Sequence, residues 1–382
     1  MKRSKKIYLR LFSILVFLFF TLAVYIHINL QPYNQAPLSI ITFDGSNSPY
    51  HPSVLYFDNN SLGSEWNGYR YWMVETPYSN IGTYRDRNEC PSIHVSNDGV
   101  HWTEPEGLIN PLVNFGEEGE KNLDYYSDPH LVMRGDTMEC WYRLTERHGN
   151  WDNRSQVSLR KVYSTDGVHW SDEIIIDQLN ENEPNRGLGN AVISPALVRD
   201  KGRYRMWYVS NGSAKGQREI AYSESTDGIN WSDKQTCCLK GPAINVWHID
   251  VQHIDSTYWL IAYDLNNLTL WRSYDGFDFL YIKELLAPCK AYGSFYGNAL
   301  YRSCLVKTNE DYKLYFSADD GTDTRIGLMC GTTPESMEII SIDDETHSNV
   351  WGGIRIFIIE KYKFVRFLYR TYIKKNIQNL FS

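Results

Sequence analysis

No Cys-x-x-Cys pair occurs in this chain, and none of its seven cysteines stands at a metal-site spacing from a histidine. An odd, unpatterned set argues against a disulfide framework and predicts that most are small buried apolar residues, with one or two bridges open only in an oxidising compartment. A phosphate-cradling glycine loop, a dinucleotide fingerprint and a Ser/His/Asp order are missing as well. Positive charge is also in deficit. Lys and Arg number 38 against 46 Asp and Glu, a net charge of −8, so the chain lacks a nucleic-acid footprint and no nucleic-acid partner is expected. Both ends are basic, so the middle is more acidic than the total implies. An acidic middle rich in Trp and Tyr suits a neutral, hydroxylated ligand better than a polyanion.

Among the features present, one apolar run stands out. Lys2, Arg3, Lys5 and Lys6 precede Leu11–Leu30, which carries no formal charge except a possible one on His27. About 20 such residues suffice to cross a bilayer, and the basic flank stays cytoplasmic. Residues 1–32 are therefore expected to be a cytoplasmic stub and transmembrane signal-anchor. A single-pass membrane location follows, with the bulk of the chain on the extracytoplasmic side. A cleavable signal peptide ending near Thr21-Leu22-Ala23 is the alternative.

Aromatics make up 14% of the chain, which favours strands over helices. A motif, Ser-x-Asp-Gly-x-x-aromatic, recurs at Ser96–Trp102, Ser164–Trp170, Ser225–Trp231 and Ser273–Phe279. Its aspartates, Asp98, Asp166, Asp227 and Asp275, are 68, 61 and 48 residues apart. Periods of this size mark a propeller or a similar array. Asp-Gly is expected to supply the positive φ angles of a two-residue hairpin. An aromatic strand precedes each hairpin: Tyr71–Val74, Cys140–Arg143, Met206–Val209 and Tyr258–Ile261. A fifth, Tyr312–Phe316, is followed by Thr332-Thr333-Pro334-Glu335 instead. Before each lies another strand, starting near residues 51, 128, 194, 248 and 302. Each repeat thus reads as four strands, and the fold class is all-β: a five-bladed β-propeller over 45–345. Residues 351–382 form a basic amphipathic tail, predicted as a short C-terminal helix lying on an anionic membrane or on the propeller side.

The strand starts His51-Pro52-Ser53-Val54, Ser127-Asp128-Pro129 and Ser194-Pro195-Ala196, with the repeated hairpins, resemble the five-bladed propeller superfamily of glycoside hydrolase families 32, 43, 62 and 68. The likeness spans about residues 45–345. The Asp-box of sialidases is similar but has one more residue between Asp and Gly. The resemblance implies a central channel lined by the first strand of each blade, with an Asp in blade one, an Asp in blade two and a Glu in blade three. Here the second position matches as Asp128, while the first is His51 and the third Ser194.

Topology places the start of the first strand, the end of the second and the start of the third on one face. That face collects His51, Glu75, Glu89, Asp128, Arg143, Ser194, His248, Asp250, Asp264 and Arg302, while the four hairpin aspartates lie opposite as structural groups. Glu89 and Asp128 are the candidate catalytic pair, since glycosidic cleavage needs one carboxyl to donate a proton and another to act as base or nucleophile. His51, Arg143, Trp247, His248, Asp250 and Arg302 are the candidate substrate-binding residues, and Tyr125, Tyr126 and Tyr292 are nearby rings for stacking on sugars. Neither a metal nor another cofactor is expected; His248 with Asp250 has the chemistry of an ion site, but the pair is too common to carry one. Two functions stand open: an enzyme acting on a carbohydrate by carboxylate acid/base chemistry, and a non-catalytic carbohydrate-binding or scaffold protein in surface polysaccharide assembly. The lack of acids at positions 51 and 194 favours the second, while Asp128, Glu89 and Arg143 favour the first.

Overall fold

The structure is a computed structural model. It describes residues 12–22, 35–57, 65–78, 89–113, 124–146, 156–178, 192–211, 217–289 and 294–340. The chain divides into two units, one comprising Met1–Ala36, Lys290–Ser294 and Ser341–Ser382, the other Pro37–Cys289 and Phe295–Ile340. In the first, residues 12–22 form a helix whose apolar side chains are exposed, Phe19 at 75%. No helix among the described residues is long and apolar enough to cross a membrane. The rest of the Leu11–Leu30 run, the tail at 351–382 and Tyr292 lie outside the described residues.

The second unit is built of five sheets, one per repeat, antiparallel except for one parallel pair in the fourth. Blade one contains β1 (Pro49–Tyr56), β2 (Tyr71–Pro77) and β3 (Ser92–Ser96). Blade two contains β4 (Tyr125–Arg134), β5 (Thr137–Glu146), β6 (Gln156–Ser164) and β7 (Ile174–Gln178). Blade three follows with β8 (Ile193–Asp200), β9 (Arg203–Asn211), β10 (Arg218–Ser225) and β11 (Gln235–Thr236). Next come β12 (Cys238–Lys240), β13 (His248–Ile254), β14 (Thr257–Tyr263), β15 (Leu268–Ser273) and β16 (Asp278–Leu286) of blade four. Blade five is β17 (Ala299–Lys307), β18 (Tyr312–Asp319), β19 (Thr324–Gly331) and β20 (Glu338–Ile339). The inner strands touch in the order β1, β4, β8, β13, β17, and β17 returns to β1, which closes the ring.

The repeat count and the inner-strand starts agree with the sequence reading, but uniform four-stranded blades do not. Among the described residues blade one has three strands. Blade four gains a fifth because β12, just after the last strand of blade three, crosses over and pairs parallel with β16. The hairpins also differ from expectation. Only the glycines take positive φ, +77° at Gly99 and +76° at Gly167. The aspartate works through its side chain instead: Asp98 Oδ1 accepts the N–H groups of Val100 and His101, both at 2.8 Å, and Ser96 Oγ accepts the Gly99 N–H at 2.9 Å. Close packing adds a second demand for glycine, since a Cβ on Gly167 would lie 2.2 Å from the Trp72 ring of the preceding blade. The four turn aspartates are thus structural.

Trp72, Trp141, Trp207 and Trp271 are fully buried within and between blades. Each contributes roughly 4–6 kcal/mol of gross apolar burial. All seven cysteines are unpaired. Nearer the axis, side chains stitch one inner strand to the next. Ser53 Oγ accepts the Leu131 N–H at 3.0 Å, Ser194 Oγ accepts the Ile249 N–H at 3.0 Å, Asp250 Oδ2 accepts the Leu305 N–H at 2.8 Å, and Cys304 Sγ accepts the Val54 N–H at 3.2 Å. These bonds satisfy backbone groups that water would otherwise have to reach inside the channel.

Candidate metal centre and active site

The inner strands of blades one, two and three begin with the same irregularity. The register slips between Tyr50 and Ser53, between Ser127 and His130, and between Ile193 and Ala196. At each bulge a residue other than glycine takes positive φ: His51 at +53°, Asp128 at +55° and Ser194 at +52°. Each is followed by proline, which has no N–H to give to the ladder. Such a bulge re-aims the side chain it carries, and strained backbone of this kind concentrates at functional sites. His248 joins from the start of β13, paired regularly with Tyr263.

His51, Asp128 and His248 converge from three blades, and one ligand atom from each fits within a 4.8 Å group. His248 Nδ1 stands 3.2 Å from Asp128 Oδ1 without hydrogen-bond alignment, and His51 Nε2 is 4.0 Å from the same oxygen. All three residues are at most 2% exposed. Asp128 Oδ1, His51 Nε2 and both ring nitrogens of His248 are buried with no hydrogen-bond partner. Buried polar atoms of this kind are costly, and several facing one point call for an additional occupant.

The surrounding groups set the donor state of each ligand. The Asp128 carboxylate is gripped by its other oxygen, Oδ2, which accepts the Ser194 N–H at 3.2 Å and lies 3.5 Å from Arg143 Nε. Burial opposes the Asp128 charge most strongly, but Arg143, His248 and His51 together hold its carboxyl well below the usual range. Burial, the largest influence on both histidines, lowers their values as well, His51 well below its ordinary value, so each imidazole is neutral. His51 Nδ1 faces Thr76 Oγ1 at 2.8 Å and Glu89 Oε1 at 3.3 Å. A proton on Nδ1 satisfies that side and leaves the Nε2 lone pair toward Asp128. Two neutral imidazoles and one carboxylate form a donor set suited to a divalent transition metal. The residues therefore fit a metal, where the sequence reading expected none.

The structure brings His51, Glu89, Asp128, Arg143 and His248 together, with Trp247 and Arg302 beside them, and separates the other candidates. Asp250 belongs to the stitching ring and also accepts Gln252 Nε2 at 3.0 Å, so it is not the partner of His248 in an ion site. Arg302, 1% exposed, donates Nη2 to Pro195 O at 2.8 Å, and its charge acts on Asp128, His51 and His248. Ser194 spends its hydroxyl on Ile249. Glu75 pairs with His94 at 3.2 Å, and Asp264 caps its own turn. Tyr126 packs edge-on against Tyr142. Trp247 Nε1 donates to Tyr301 OH at 2.8 Å, and the Tyr301 ring lies 4.0 Å from His248. Tyr301 is the functional candidate that sequence reasoning passed over. Its signal was the position just before Arg302, at the fourth inner-strand bulge.

No family model matches the sequence. Among solved structures, an N-acetylgalactosamine deacetylase from F. plautii in complex with blood group B trisaccharide superimposes with TM-score 0.61 at 24% identity, covering 79% of this chain and 96% of that one. A GH43_1 enzyme from Xanthomonas citri complexed with xylotriose gives TM-score 0.54 at 10% identity over 81% of this chain and 93% of that one. The fold is that of the glycosidase-like propellers. In sequence, the chain is similar to an A type blood N-acetyl-α-D-galactosamine deacetylase of Flavonifractor plautii, 29% identical over 322 residues, 71% of this chain and 39% of the relative. An uncharacterized protein of Mycobacterium tuberculosis is 30% identical over 123 residues, 32% of this chain and 37% of that protein. The chain thus spans about two fifths of the length of these curated relatives.

Proposed function

We propose that this chain is a carbohydrate-acting propeller enzyme that hydrolyses the N-acyl group of an amino sugar at the His51–Asp128–His248 centre. The observation that carries this reading is the convergence of unpartnered, buried donor atoms from three blades on one point. A deacetylase relative supports the N-acyl group as the target. A divalent cation held by these residues would supply Lewis acidity to an acyl oxygen and acidify a bound water. The chain's own groups do the rest. Arg143 keeps Asp128 ionised. Thr76 and Glu89 fix the His51 tautomer. Glu89, the further acid against His51, takes the proton of the attacking water and returns it to the departing nitrogen. The amide C–N bond breaks, a C–O bond to water forms, and a carboxylate and a free amine result.

A second reading is glycosidic cleavage, with Glu89 as acid and Asp128 as the ionised partner. It is favoured by one observation: both carboxylates border the same imidazole. Incubating the protein with N-acetylated oligosaccharides, with added Zn²⁺, Mn²⁺ or Co²⁺ and separately with chelator, decides between them. Acetate and free amine, lost on chelation, are expected. New reducing ends that persist in chelator would replace this reading with the second. We also read Leu11–Leu30 with its basic flank as a membrane anchor that leaves the propeller extracytoplasmic. The exposed apolar side chains of residues 12–22 support it.

A further inference from the structure

Beside the centre lies a second feature that hydrolysis of a neutral sugar leaves unused. Arg218 opens β10, and its guanidinium carbon sits 3.6 Å above the Trp247 ring. Trp247 is in turn pinned by its indole N–H to Tyr301, whose ring touches His248. A chain of three contacts thus joins Arg218 to the candidate centre. Stacking of this kind fixes a guanidinium plane while leaving its edge for hydrogen bonding.

The charge arrangement around Arg218 is unusual. Among the described residues no carboxylate charge acts on it, and its Nη1 is buried without a hydrogen-bond partner. Arg143 stands opposite Asp128, and its positive charge opposes that of Arg218. Burial and Arg143 pull Arg218 down to about 10, so it remains a cation at neutral pH. A half-buried cation with an unused donor, held rigid on an indole and repelled by its neighbour, is stabilised by an anion arriving with the substrate.

We propose that Arg218 and Trp247 form a subsite for the carboxylate of an acidic sugar residue adjoining the sugar that enters the His51–Asp128–His248 centre. The planar guanidinium matches a carboxylate through paired N–H groups, and the fixed indole sets the plane in which that sugar must lie. The preferred glycan is then anionic, in contrast to the neutral ligand that overall composition suggests. The subsite deepens the proposed function and rests on it for its place beside the reacting sugar, but ligand binding there can be measured without turnover.

The test is calorimetric titration of the full chain, in chelator, with two probes. One is a disaccharide of an N-acetylhexosamine and a hexuronic acid; the other is the same disaccharide with its carboxyl reduced to an alcohol. The parent is expected to bind the acidic probe about 10- to 100-fold more tightly, and Arg218→Gln to lose that preference while binding the reduced probe as before. Arg218→Lys keeps the charge but not the plane and should retain only part of the preference. Thermal melts of each variant establish folding, and the comparison of probes within the parent does not depend on any variant. Equal binding of the two probes by the parent, no binding of either, or equal losses on both in Arg218→Gln would overturn the subsite. If the preference is found but no N-acyl hydrolysis occurs with any metal, the subsite stands and the proposed function falls. If N-acyl hydrolysis occurs without any preference, only the subsite falls.

Discussion

Asp128→Asn separates a metal centre from an ordinary polar cluster. The side chain keeps its volume at a position 1% exposed, and the amide oxygen can still accept the Ser194 N–H. Lost are the negative charge facing Arg143 at 3.5 Å and the anionic ligand between the two histidines. Breaking a buried charge pair costs about 3–5 kcal/mol. With roughly 300 ordered residues contributing about 2 cal/mol/K each, the transition entropy is near 0.6 kcal/mol/K, so the metal-free variant should melt about 5–8 °C below the metal-free parent. For the parent, a metal at about 1,000 times its Kd adds about 4 kcal/mol, or about 6–7 °C. Asp128→Asn should lose most of that rise. Asp250→Asn, a buried acid that bonds the Leu305 N–H outside the cluster, should melt lower yet keep the full metal response. Scanning calorimetry with EDTA and with Zn²⁺, Mn²⁺ or Co²⁺ reads both quantities. The reasoning is refuted if the parent does not respond to any of these metals, or if Asp128→Asn responds as the parent does.

Acid stability offers another test: burial, followed by Arg302, lowers the His130 pKa from 6.5 to about 3. Because the unfolded chain takes up that proton first, the contribution is complete above about pH 6.5 and is lost as pH falls toward 3. Asp250, raised to about 6 by burial, acts in the opposite sense between about 3.8 and 6. His130→Gln should therefore flatten the acid limb of a urea-stability curve, and an unchanged limb would count against it. Gly167→Ala combines a φ of +76° with a Cβ 2.2 Å from Trp72, so a loss of about 2–4 kcal/mol is expected in urea unfolding, and a change below about 0.5 would contradict the packing account. Removing residues 1–32 should release the propeller from the membrane fraction into the soluble one; if the full chain is already soluble without detergent, the anchor is wrong.

The repeat was legible because its signals are local. Four Ser-x-Asp-Gly motifs carry their own turn chemistry, and the aromatic strands before them alternate into the blade interfaces. The inner-strand starts were legible for the same reason, through the prolines at 52, 129 and 195. The candidate centre was legible in its members but not in its chemistry. His51, Asp128 and His248 are 77 and 120 residues apart, so no ligand spacing could betray them; ring closure alone brings them together. The bulges were hidden because Pro after a strand's first residues reads equally as a plain beginning. The cross-blade bond of Asp250 was not legible because His248 and Asp250 share a strand face in sequence, whereas the carboxylate turns to the next blade's backbone.

The bulge repeated in blades one, two and three has a consequence for how this architecture changes chemistry. Backbone geometry at His51, Asp128 and Ser194 is nearly identical, φ +53°, +55° and +52°, although the side chains share no chemistry. The strain belongs to the position and is carried by the blade whichever residue occupies it. Function is therefore written in a three-letter alphabet at fixed addresses, and one letter can be rewritten without rebuilding the page. In this chain the first two letters are a neutral base and a carboxylate. The third, Ser194, has been given to holding blades three and four together, so a new ligand installed there would also have to replace the tie to Ile249.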